Sequence, residues 1–160
     1  MAIRFNADEI FEIAEKIEQN GVSFYRSAAE MFKGKKEADL FNQLASMEEQ
    51  HRLIFAAMRS EATKLKDMED ALYDPDNDTQ KYLHAIADGK VFVSGDDKSV
   101  SFSGRETKSE ILKTAIGLEK DSIIFYLGMR DMVPEKLGRS KMDEIINEEK
   151  RHIVILSEMF

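Results

Sequence analysis

Glu18, Tyr25, Glu48 and His51 recur 101 residues later as Glu119, Tyr126, Glu149 and His152 (119−18, 126−25, 149−48 and 152−51 are all 101). Each copy reads Glu, then Tyr seven residues on, then Glu and His thirty and thirty-three residues after the first Glu. Carboxylate and imidazole side chains are ligands for transition metals. Residues three apart on a helix point the same way, so Glu48 with His51, and Glu149 with His152, can each address one ion. Four carboxylates supply four negative charges, and two divalent cations balance them. The expected chemistry is therefore a pair of iron ions held by Glu18, Glu48, His51, Glu119, Glu149 and His152, with manganese or zinc accepted by the same ligand types.

These acidic residues stand where apolar ones belong. Glu18 continues the stripe of Ala14, Gly21 and Tyr25, and Glu48 and His51 continue that of Leu44, Phe55 and Met58. Glu119 lies between Ala115 and Ser122, and Glu149 and His152 lie between Ile145 and Leu156. A buried, unpaired carboxylate is costly and normally takes up a proton, so four in one core layer require a cation. Glu49, two residues before His51, should face away. Glu148, four before His152, could reach that histidine, but the repeat register favours Glu149. Tyr25 and Tyr126 are read as core tyrosines whose hydroxyls find a hydrogen bond, with a ligand carboxylate as one candidate acceptor. His84 has no Glu at the matching spacing and is expected on the surface.

Four long amphipathic helices must position this set. Asn6 with Glu9 resembles a capping box for the first, which Lys33-Gly34 closes. The second is expected from about Lys36 to the mid-60s. Thr107 with Glu110 caps the third, which ends at Val133-Pro134, and the fourth runs from about Ser140 to the C-terminus. Between the pairs, Asp74-Pro75-Asp76-Asn77 reads as a turn, residues 78–87 as a short helix stopped by Gly89, and residues 91–104 as an irregular loop or small hairpin. The expected fold is all-α, a four-helix bundle with a long crossover between helices two and three. It forms one domain over residues 1–160, with helical pairs at about 6–65 and 107–160 and the crossover at about 66–106.

Bulk composition narrows the alternatives. With 42% hydrophobic and 34% charged residues the chain reads as globular, and 160 residues can bury a substantial core. Lys and Arg number 23 against 31 Asp and Glu, a net charge of −8 that argues against a nucleic-acid partner. No cysteine is present, which excludes disulfides, thiolate zinc sites and iron–sulfur clusters. Neither a secretory leader nor a membrane span is evident, so a cytoplasmic location is expected.

Glu, E-x-x-H, Glu, E-x-x-H on four helices resembles the ferritin-like di-iron carboxylate proteins. The segments IEQNGVSFY, MEEQH, LEKDSIIFY and NEEKRH resemble the rubrerythrin branch, and the Glu-x6-Tyr pair on helices one and three is the discriminating part. The resemblance covers most of the chain outside residues 66–106. It implies that Glu18, Glu48 and His51 serve one iron and Glu119, Glu149 and His152 the other, with Glu48 and Glu149 bridging. It also implies reaction of the reduced pair with peroxide or dioxygen, and a homodimer in which helices could be exchanged through the crossover. Two departures matter. The four-Cys rubredoxin domain usual in that branch is absent, so the expected electron donor is a separate molecule. Ser122 stands where typical rubrerythrins carry an extra Glu.

The function expected from this reading is an oxidoreductase that reduces hydrogen peroxide or dioxygen. The alternative is ferroxidation with iron storage or delivery. A third reading has the metal only stapling the core.

Overall fold

The computed structural model describes residues 7–64, 76, 78–88 and 102–160. Their elements are α1 (Ala7–Met31), α2 (Lys36–Lys64), α3 (Asp78–Asp88), α4 (Lys108–Arg130), a 3-10 turn (Glu135–Leu137) and α5 (Arg139–Glu158). Among the described residues there is no strand. The expected Asn6 cap, residues 74, 75 and 77 of the expected turn, Gly89 and residues 91–101 lie outside them, as does the side chain of His84 on α3.

Local chemistry sets the helix ends. Gly34 at φ +83° reverses the chain between α1 and α2, a backbone region that favours glycine. Thr107 caps α4 through a full capping box: its hydroxyl accepts from the Glu110 N–H, and the Glu110 carboxylate accepts from the Thr107 N–H. Regular α-structure in α4 stops at Arg130, earlier than the sequence predicts. Met132 and Val133 instead donate to Met129 and Arg130, a tighter i to i−3 turn that carries the chain to Pro134.

The helices form two antiparallel pairs, α1 with α2 and α4 with α5, and the pairs pack through α1 on α4 and α2 on α5. Arg59 of α2 ties down α1 through Asp8 at 2.6 Å and Glu15 at 3.1 Å, while Arg130 of α4 pairs with Asp143 of α5. The crossover helix α3 docks on α4, with Leu83 buried and the Tyr82 hydroxyl donating to the Ile124 carbonyl at 3.4 Å.

The apolar interior is divided in two. One cluster gathers Ile10, Ala14, Phe55, Tyr126, Met129 and Ile145, and the other gathers Phe24, Tyr25, Phe41, Leu44, Ile111 and Leu156. Along every long helix the residues that separate the two clusters are the acidic and histidine residues of the repeat. Burial of both clusters packs the four helices on either side of the polar layer.

Candidate metal centre

Glu18 comes from α1, Glu48 and His51 from α2, Glu119 from α4, and Glu149 and His152 from α5. All six are buried, with Glu18, Glu149 and His152 fully sequestered. The structure brings together every one of the six residues singled out by the repeat. They form two overlapping groups, Glu18–Glu48–His51–Glu149 and Glu48–Glu119–Glu149–His152, and within each group one ligand atom per residue lies within 4.8 Å of all the others. Glu48 and Glu149 belong to both groups, so they sit between the two halves.

Both imidazoles turn Nδ1 inward. His51 Nδ1 is 2.9 Å from Glu149 Oε1 and 3.6 Å from Glu18 Oε2. His152 Nδ1 is 3.0 Å from Glu48 Oε1, 3.0 Å from Glu149 Oε2 and 3.4 Å from Glu119 Oε1. The rings lie nearly parallel, 5.6 Å apart with 18° between planes. Despite this proximity, both Nδ1 atoms, both Glu149 oxygens, Glu18 Oε2 and Glu48 Oε1 have no hydrogen-bond partner. Buried polar atoms are almost always hydrogen-bonded. Six that converge without a hydrogen bond among them aim at points between them, and the residue types fit cations there.

Each tyrosine crosses to the opposite pair. Tyr126 of α4 donates to Glu18 Oε1 of α1 at 2.5 Å, and Tyr25 of α1 donates to Glu119 Oε1 of α4. Helix spacing placed each tyrosine on the face of its own helix's Glu. It could not show that each binds the other's, because that depends on how α1 packs against α4. Burial, and then the facing charges of Glu119 and Glu18, hold both phenols well above their usual pKa, so they remain donors.

Electrostatics follows from crowding four acids. Burial, then the charges of Glu149, Glu119 and Glu18, push Glu48 well above the carboxylate range. Burial, then Glu18 and Glu119, raise Glu149 to about 8. For His51 burial opposes the charge, but the Glu149 and Glu18 carboxylates outweigh it and raise the pKa to about 11. His152 reaches about 9 by the same contest, with Glu119 and Glu149 as the raising partners. Without a cation, protons must neutralise the layer.

Helical spacing left Glu148 within possible reach of His152 while the repeat favoured Glu149, and Glu149 is the one in the cluster. Glu148 does not reach the histidine of its own helix; its carboxylate lies 2.7 Å from His51 Nε2 on α2. It remains partly exposed, unlike Glu149 beside it. Glu49 points away from the layer, as its spacing implies, and binds Arg52 through two hydrogen bonds of 2.8 and 2.9 Å. The Ser122 hydroxyl donates to the Leu118 carbonyl at 3.0 Å. Across from it, Gly21 leaves room for Glu48, since a Cβ there would lie 2.8 Å from Glu48 Oε2. Between Gly21 and Ser122 is a gap of about 10 Å³ that reaches Tyr25, Glu48 and Glu119.

No family model matches the chain, and no curated protein does. Among solved structures, it is similar to a Thermotoga maritima protein provisionally assigned as a ferritin-like diiron-carboxylate protein, with TM-score 0.69 and 26% identity over 99% of this chain and 97% of that one. No helix among the described residues is long and apolar enough to cross a membrane. The shared fold and the buried cluster together define this chain as a ferritin-like all-α bundle with a Glu/His centre compatible with a di-iron site.

Proposed function

We propose that the protein is a rubrerythrin-like di-iron oxidoreductase that reduces hydrogen peroxide or dioxygen with electrons from a separate donor. The observation that carries this reading is the double, overlapping Glu/His group with two shared carboxylates. Glu18, Glu48, His51 and Glu149 would hold one iron, and Glu48, Glu119, Glu149 and His152 the other. A ferrous pair supplies two electrons to a bound O–O bond, which suits a two-electron reduction.

The chain's own residues set the conditions. Four carboxylates match two divalent charges inside a low-dielectric core. Tyr25 and Tyr126 hold Glu119 and Glu18 in place and lie beside the centre as neutral hydrogen-bond donors. The two apolar clusters exclude bulk water from either side, and the gap beside Gly21 has room for about one water-sized molecule. Peroxide and dioxygen are of that order of size.

With Ser122 where the branch usually has a further Glu, turnover here relies on the six ligands alone. A homodimer, a cytoplasmic setting and a single domain spanning the chain are part of the same proposal. Stopped-flow mixing of the anaerobic diferrous protein with peroxide, and separately with dioxygen, tests it. Rapid oxidation by at least one, followed by re-reduction with an external donor, is expected. Equal sluggishness towards both overturns the reading.

A further inference from the structure

The 101-residue repeat makes the two halves of the centre equivalent in their ligands. Each has one Glu of its own, one His, and a share of Glu48 and Glu149. Each outer Glu also accepts from one tyrosine. Behind the histidines the equivalence fails. His51 Nε2 is 2.7 Å from the Glu148 carboxylate, whereas His152 Nε2 is fully buried and has no hydrogen-bond partner. The repeat shows why: the counterpart of Glu148 (148−101) is Met47. A thioether is at best a weak acceptor and cannot replace a carboxylate.

The consequence is chemical. With both Nδ1 atoms turned inward, a metal needs the Nδ1 lone pair, so the ring proton must sit on Nε2. On His51, Glu148 accepts that proton, fixes the tautomer and raises the basicity of Nδ1. On His152, the same tautomer buries an N–H with no acceptor, which is unfavourable. The gap beside the centre lies on the same side, since its walls include Glu119 but not Glu18.

We propose that the two metal positions are inequivalent: the His51 position, backed by Glu148, binds first and tightly, and the His152 position, without such a carboxylate, binds second and exchanges. This rests on the metal-centre reading above and goes beyond it. Loss of a carboxylate behind a metal-bound histidine typically costs about 10- to 100-fold in affinity, which sets the expected separation of the two steps.

Anaerobic titration of metal-free protein with Co²⁺, followed by visible absorption and calorimetry, provides the test. Wild type should take up one equivalent at least about 10-fold more tightly than the second. Glu148→Met, made at a partly exposed position, should weaken the first step about 10- to 100-fold and narrow the separation. Met47→Glu should tighten the second step. Mutual repulsion of the two ions also separates the steps, but it does not make the first depend on Glu148. Uptake of two equivalents in one step, or a first step unmoved by Glu148→Met in a variant that melts normally, would overturn the inequivalence while leaving the metal centre intact. No Co²⁺ uptake at all would remove the metal-centre reading and this inference with it.

Discussion

The α1–α2 pair and the α4–α5 pair deliver the same four residue types to one layer, yet they are not interchangeable. Glu18, Tyr25, Glu48 and His51 match Glu119, Tyr126, Glu149 and His152 in position, and the two tyrosine–carboxylate bonds are reciprocal. Differences occur one step further out, where Met47 faces Glu148 and Gly21 faces Ser122 in the repeat. Ligand positions in such a centre are tightly constrained, because any buried carboxylate that misses the cation is left uncompensated. Residues behind them tolerate change and can tune each half separately. The molecule thus keeps its two-fold pattern where charge demands it and relaxes it where only affinity is at stake.

The strongest way to break the comparison is to remove a shared ligand. Glu149→Ala strips both groups at once and should reduce bound metal to well below one ion per chain. Glu18→Ala touches one group and should leave roughly half of the wild-type metal. Elemental analysis of protein reconstituted with excess ferrous iron distinguishes them, and equal losses would mean that Glu149 is not shared.

Metal removal should have the next largest effect, and its size should depend on pH. In the metal-free protein His51, His152 and Glu149 have pKa values raised to about 11, 9 and 8. A raised folded-state pKa stabilises the fold while the group is protonated, and that contribution fades as pH climbs. For Glu149 the decline runs from its unfolded value of 4.5 to about 8, and for the histidines from 6.5 to about 9 and 11. Glu119 is shifted the other way despite its burial, chiefly by His152 and Glu149, and opposes the trend only in acid. Metal binding displaces these protons, so it strengthens over the same range. Melting curves with and without chelator should therefore converge near pH 5 and diverge by pH 8.

The tyrosines sharpen the comparison further. Tyr25→Phe and Tyr126→Phe each delete one buried hydrogen bond to a carboxylate, worth about 1.5–3 kcal/mol. Because the bonds are reciprocal, the two variants should lose stability equally in denaturant titrations of the metal-loaded protein. An unequal loss would place a further asymmetry at the outer carboxylates.

Gly21 and Ser122 give the smallest effects. Gly21→Ala improves helix propensity by about 0.5–1 kcal/mol but pushes on Glu48, 2.8 Å from the new Cβ. The metal-free melting temperature should hold or rise while Co²⁺ affinity falls. Ser122→Ala removes only a bond to the Leu118 carbonyl and should change either measurement little, within about 0.5 kcal/mol for stability.

Sequence alone determined the number, order and approximate ends of the long helices, because apolar spacing, the Thr107 box and Gly34 are local signals that packing did not override. It also determined which six residues meet, since acids embedded in apolar stripes and repeated in register have no other way to be buried. Tertiary structure decided every relation across helices. It set Tyr25 on Glu119 and Tyr126 on Glu18, brought Glu148 to His51 of the other pair, and left His152 Nε2 without an acceptor. Spacing along one helix fixes only the direction of a side chain; what it touches is fixed by the neighbour that the packing of the two apolar clusters brings within reach.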